Sequence, residues 1–146
     1  MKALIVCDSN FGNTMLVAKE IAKNLGDDVK IVTVKDFKDS DLAGIDLLIF
    51  GSPIVGWRPT EKSLALLVNL VGKLPDGIKF STFDTRVKLF VHGDAKEKMA
   101  IMLKSAGGKL LFEPQGFFVK GKHGPLFEGE LEKAANWAKL IKLKML

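Results

Sequence analysis

A chain of 146 residues, 47% of them hydrophobic and 27% charged, has the apolar content of one buried core and is too hydrophobic for a disordered segment. Its single cysteine excludes an internal disulfide and any zinc or iron–sulfur framework built on several thiolates, and leaves Cys7 as a small buried hydrophobe. The net charge of +5 comes from dispersed lysines with no aromatic-rich or recognition-helix motif beside them, so it points to protein surfaces and away from nucleic acid.

In chain order, Ala3–Cys7 is apolar throughout, as a strand covered on both faces should be. Thr14–Leu25 is a helix with Val17, Ala18, Ile21, Ala22 and Leu25 on one stripe, closed by Gly26. Val29–Val34 alternates as a strand, and the polar connection that follows leaves room for a short turn around Asp39–Ala43. Asp46–Gly51 is a second buried strand and Ser52–Thr60 a loop with two prolines. Glu61–Lys73 reads as a helix with Leu64, Leu67, Val68 and Val71 inward, and Ile78–Phe83 as the fourth strand. A loop over Thr85–Gly93 precedes a helix capped by Asp94 and closed by Gly107 and Gly108. Lys109–Val119 is the last strand region, interrupted at Pro114. A helix from about Glu128 to Leu143 turns Leu131, Ala134, Ala135, Ala138 and Ile141 inward, with Trp137 beside them in the core.

No repeat or linker divides residues 1–146, so a single domain is expected. No apolar run is long enough to span a bilayer, and the stretch between Lys2 and Asp8 is too short for a secretory signal. A cytoplasmic protein without a membrane anchor is the expectation. Strands alternating with helices predict an α/β domain with a largely parallel sheet covered on both faces. Ligands of such sheets sit beyond the carboxyl ends of the strands, which directs attention to residues 8–14, 51–60 and 84–93.

Asp8-Ser9-Asn10-Phe11-Gly12-Asn13-Thr14 joins the first strand to the first helix. Small and amide-bearing residues there aim backbone N–H groups at one spot, and the helix dipole favours an anion. Ser9 and Thr14 add hydroxyls, and Gly12 admits close approach. The segment is neither G-x-x-x-x-G-K-[ST] nor G-x-G-x-x-G, which argues against a nucleoside triphosphate and a dinucleotide. An ordinary strand-to-helix turn with a polar cap would show the same residue types.

Ser9–Thr14 resembles the FMN-phosphate loop of the flavodoxin family, and Gly51-Ser52-Pro53-Ile54-Val55-Gly56-Trp57 is similar to that family's second flavin loop. Phe83-Asp84-Thr85-Arg86, with Phe117–Gly121 and Gly129–Glu132, resembles a flavodoxin-like subgroup, so the likeness runs the length of the chain. It implies a three-layer sandwich whose five parallel strands follow the order 2-1-3-4-5, with helices on both faces. It also implies an FMN held non-covalently by Ser9, Asn10, Phe11, Gly12, Asn13 and Thr14 at the phosphate, and by Ser52, Pro53, Ile54, Val55, Gly56 and Trp57 along the ring. Asp84, Thr85 and Arg86 would meet the pyrimidine edge, and Phe90 is the candidate second aromatic, or a core residue.

Phe11 departs from the family by replacing a hydroxyl residue, which costs the phosphate one donor. The stacking aromatic of the family often precedes the glycine, where this chain has Val55, so Trp57 is the candidate for one ring face, displaced by two positions. Its other expectation is packing on a neighbouring helix. Gly56 would let its peptide turn over, so that its carbonyl accepts from the flavin N5–H after one-electron reduction.

The resemblance implies an electron carrier working between a reductase and acceptor proteins. The alternative is a flavin-dependent oxidoreductase acting directly on a quinone or porphyrin. A signalling receiver of the same fold is disfavoured, since Cys7-Asp8 and Phe50-Gly51-Ser52 lack its acidic residues. His92 and His123 fit no catalytic order and read as surface residues. Arg58, Lys62, Arg86, Lys88, Lys120 and Lys122 outnumber Glu61, Asp84 and Asp94 near the expected site. That balance predicts a flavin environment that favours the reduced anion and partners with acidic docking faces.

Overall fold

Ala3–Cys7 (β1), apolar at every position, is buried along its whole length in the middle of the sheet. The computed structural model of the chain describes residues 1–88 and 93–146. After β1 come helix α1 (Asn13–Leu25), strand β2 (Val29–Thr33), a 3-10 turn at Asp39–Leu42, strand β3 (Leu47–Val55) and the two-residue strand β4 (Arg58–Pro59). Helix α2 (Glu61–Asn69), strand β5 (Lys79–Val87), helix α3 (Lys96–Ser105), strands β6 (Lys109–Leu110) and β7 (Gln115–Val119) and helix α4 (Glu130–Met145) follow.

β2, β1, β3 and β5 pair in parallel in that order, and β5 carries both β6 and β7 on its other edge. β6 and β7 are the expected fifth strand, parted where residues 111–114 leave the ladder; Pro114 has no N–H to contribute there. The expected order therefore holds, with its fifth place shared by two segments. Alternate residues of β1 feed the two cores. Ala3, Ile5 and Cys7 face α1 and α4 with Phe83, Phe117 and Trp137, whereas Leu4 and Val6 face α2 and α3 with Phe50, Phe80 and Met99. Phe83, Phe117 and Trp137 meet edge to face with centroids 6.0–6.3 Å apart, and the indole N–H donates to the Glu113 carbonyl at 3.0 Å.

Four expectations need correction. Ser52–Thr60 is not a loop: β3 runs on to Val55 and folds back through Gly56 and Trp57 into β4, pairing Ile54 with Pro59 and Val55 with Arg58. Gly56 and Trp57 both have positive φ, 58° and 71°, the turn whose twist suits a two-residue hairpin. Trp57 is the only non-glycine in that region among the described residues, at a cost of about 1–2 kcal/mol. Likewise β5 continues through Thr85–Val87, expected as loop, because β7 pairs with it there. On α2 the inward stripe is Ser63, Leu67 and Leu70, whereas Val68 and Val71 are exposed; the helix is rotated because Thr60 caps it and ties Ser63 inward. On α4, Leu131 is exposed, while Trp137 takes its place on the buried stripe.

Candidate functional site

The carboxyl ends of β1, β3 and β5 open into a cavity of about 540 Å³. It is lined by Asn10, Phe11, Asn13 and Thr14 from the first loop, Pro53–Gly56 from the hairpin, Thr85–Val87 from β5, and Val119 and Lys122. The three segments singled out in the sequence thus meet in one place, as the strand order requires.

In the first loop, Ser9 Oγ accepts from the N–H groups of Gly12 and Met15 at 3.1 and 3.3 Å, folding the chain into the start of α1. Ser9 and Gly12 therefore shape the loop and do not line the cavity. The N–H groups of Asn10, Phe11, Asn13 and Thr14 have no acceptor among the described residues. Four open donors at the positive end of a 13-residue helix make an anion cradle. The Thr14 hydroxyl is buried and lies 2.9 Å from that of Thr85, so one of the two protons is used between them.

In the second loop, Pro53, Ile54, Val55 and Gly56 form an apolar wall, but Ser52 and Trp57 lie off it. Ser52 Oγ accepts from the Thr60 N–H at 3.1 Å, and Thr60 Oγ1 donates to Asp8 at 2.6 Å, so Ser52 belongs to the network that joins the ends of β1 and β3 to α2. Trp57 sits at the tip of the hairpin, 56% exposed. Its carbonyl, not its ring, makes the local bond, accepting from the Asp94 N–H at 3.0 Å.

On β5, Asp84 and Arg86 share the face toward α3. Arg86 Nε and Nη2 donate to the two Asp84 oxygens at 2.7 and 2.5 Å, and Nη2 reaches Asp94 at 3.3 Å. Asp84 also accepts from the N–H of Lys96 at 2.9 Å, at the start of α3. Burial pulls the Arg86 pKa down, but the hydrogen bond and charge of Asp84, with those of Asp94, outweigh it and hold the guanidinium above its ordinary value. Asp84 is fully buried and off the cavity lining, whereas Thr85 on the opposite face lines it. Phe90 and His92 lie outside the described residues.

Val87 and Val119 line the cavity without having been expected there, and Lys122, expected only near the site, lines it as well. The last two come with a turn after β7: the Lys120 N–H bonds the Pro125 carbonyl at 2.8 Å, that of Gly124 bonds the Gly121 carbonyl at 2.9 Å, and Val119 pairs with Leu126. The sequence signal for it is Gly121-Lys122-His123-Gly124-Pro125, a turn composition directly after a strand. The turn lies on the first loop, with the His123 and Phe11 ring centroids 4.0 Å apart. Gly124, at φ 92°, leaves the space that a Cβ would take 2.6 Å from Asn13 Oδ1. Cys7 lies under the site, where burial, and secondarily the Asp8 charge, push its thiol up to about 12.

No protein-family model and no curated protein sequence matches the chain. Solved structures do. A flavodoxin from the domain Archaea superposes with a TM-score of 0.82 at 20% identity over 99% of both chains. Flavodoxin 2 from Bacillus cereus superposes at 0.81 with 22% identity over 99% of both. The rubredoxin:oxygen oxidoreductase of Desulfovibrio gigas matches 99% of this chain over 37% of its own, at 0.78 and 20% identity. With its strand order, helices on both faces and coverage from end to end, the chain is flavodoxin-like in fold.

Proposed function

We propose that this chain holds one FMN non-covalently in the cavity at the strand ends and carries electrons between a reductase and acceptor proteins. The observation that carries the reading is the meeting of the open amides of residues 10–14 with the apolar 53–56 segment and the end of β5 in one cavity. A phosphate monoester attached to a flat ring system asks for that pair of surfaces, and 540 Å³ falls within the range of about 300–1,000 Å³ usual for cofactor sites. The flavodoxins of like fold support the choice of ligand.

When bound, the flavin supplies the electron chemistry, and the chain needs no acid, base or nucleophile of its own. The N–H groups of Asn10, Phe11, Asn13 and Thr14 would take the phosphate oxygens, with the Thr14 hydroxyl as a further donor. Ile54, Val55 and Val87 would keep water from the ring. Gly56, at φ 58° with nothing within 4 Å of where a Cβ would sit, leaves its peptide free to reorient. The exposed cations Arg58, Lys62 and Lys120 support partners with acidic docking faces.

The visible spectrum of the purified protein, then titration of the apoprotein with FMN and riboflavin, tests the ligand. A yellow protein that prefers FMN is expected; a colourless one that takes up neither ligand would end the reading. Electron transfer to an acidic partner should slow as salt rises, and a rate flat in salt would remove the acidic docking face. One observation favours the second reading, a reductase of quinones or porphyrins: the Trp57 ring is not part of the cavity lining, so no aromatic of the hairpin screens that wall from a small substrate. Quinone turnover with a nicotinamide donor and no added reductase would decide for it.

A further inference from the structure

We infer that Lys122 is a binding residue for the phosphate end of the cavity's ligand, and that Phe11 holds it there. The inference rests on the reading of the cavity as an FMN site. Phe11 is a large apolar side chain, 45% exposed, in a loop otherwise built of small and polar residues. Nothing in the two cores calls for it. What touches it is the turn after β7: the His123 ring at 4.0 Å, and the Lys122 ammonium 5.9 Å above the ring centroid. The Asn13 side chain packs against Gly124 of the same turn. Phe11 thus costs the anion cradle one side-chain hydroxyl and in return seats a turn that brings a positive charge to the cradle's edge.

The charge is available. Lys122 lines the cavity together with Asn10, Phe11, Asn13 and Thr14, and among the described residues no carboxylate lies within ion-pair distance of it. The one acid of the loop, Asp8, is occupied by the Thr60 hydroxyl at 2.6 Å and the Ser9 N–H at 3.0 Å. A dianion bound by neutral amides alone would have an affinity that depends weakly on salt. One bound also by an exposed ammonium loses affinity as salt screens the pair.

The test is titration of the apoprotein with FMN and with riboflavin, at low and high salt, in the parent, Lys122→Gln, Lys122→Arg and, as a control on α4, Lys142→Gln. At low salt Lys122→Gln should bind FMN about tenfold more weakly and riboflavin as the parent does, while Lys122→Arg and Lys142→Gln keep the parent's preference. The preference for FMN should also fall with salt in the parent and stay level in Lys122→Gln. A Lys122→Gln protein that matches the parent with FMN at both salts would overturn the inference and leave the FMN site standing. A parent that binds riboflavin as tightly as FMN would overturn the phosphate site itself. Phe11→Ala should weaken FMN as much as Lys122→Gln does, and the double variant no further; fully additive losses would show that the ring does not hold the lysine.

Discussion

Replacing Arg86 by methionine takes the cation out of a buried pair and leaves the anion behind. The Asp84 side chain has no exposure and that of Arg86 9%, and the two are joined by two hydrogen bonds. Breaking such a pair from one side costs about 3–5 kcal/mol. Asp84 keeps the Lys96 N–H at 2.9 Å and that of Ala95 at 3.3 Å, which places the expected loss at the lower end, about 3 kcal/mol. For a chain of this length that is a fall in Tm of roughly 10 °C. In urea the midpoint should drop while the slope stays as it was. Asp84→Asn/Arg86→Met should be more stable than Arg86→Met alone, because the second change removes the charge that the first left unpaired. The loss should not vary with pH near neutrality: a base whose folded pKa is raised stabilises fully below its unfolded pKa, and that stabilisation fades only as pH climbs through the folded value, far into alkali. An Arg86→Met protein within about 1 kcal/mol of the parent, or a double variant worse than both singles, would refute the pair as a structural element.

Thr14→Val should weaken FMN by about tenfold or more with little change for riboflavin, and Thr85→Val by less, since Thr14 then keeps its hydroxyl for the ligand. A larger loss in Thr85→Val, by titration of the apoprotein, would reverse those roles. Trp57→Gly should leave FMN affinity unchanged and raise the unfolding midpoint by up to about 1 kcal/mol equivalent, because it relieves a positive φ without emptying a packed site. Cys7 should stay unreacted with a thiol reagent in the folded protein at mildly alkaline pH and react once urea unfolds it; prompt reaction in the native state would contradict its burial and its raised pKa.

What was legible in the sequence is what rests on local pattern. A wholly apolar run such as Ala3–Cys7 has only one place in a twisted sheet, and the strand–helix alternation then brings 8–14, 53–56 and 85–86 together without further information. Pairing across the sheet is a different kind of fact. That Val55 should pair with Arg58, or Thr85 with Phe117, depends on a partner strand that no local window contains, so both strands were expected to stop too early. Ser52, Asp84 and Arg86 were expected at the ligand because of where they lie in the chain; Arg86 does line the cavity, whereas Ser52 and Asp84 lie off its lining. The polar partners that occupy them come from Thr60, Asp94 and the start of α3, and only the folded chain assembles those. Trp57 was chosen for its ring, yet the backbone conformation of a two-residue turn decides where that ring goes.

Charge shows the same division between composition and placement. Six cations near the site suggested a basic field around the ligand, but they are not equivalent. Arg86 reaches the cavity lining, but its charge is paired with Asp84 and Asp94. The Lys88 ammonium stands 5.7 and 5.4 Å from the Phe118 and Phe127 ring centroids, and that of Lys120 stands 5.8 Å from Phe127, so both belong to the aromatic surface beside β7. Arg58 on the return strand of the hairpin and Lys62 on α2 are exposed. Only Lys122 combines a place in the cavity lining with freedom from any carboxylate among the described residues. On the proposed reading, Lys122 adds the one carboxylate-free side-chain charge to the helix-end amides at the cavity, whereas the field at the surface is shared by several cations. Removing Lys122 and removing Arg58 should accordingly act on different observables, ligand affinity in the first case and the salt dependence of partner encounter in the second.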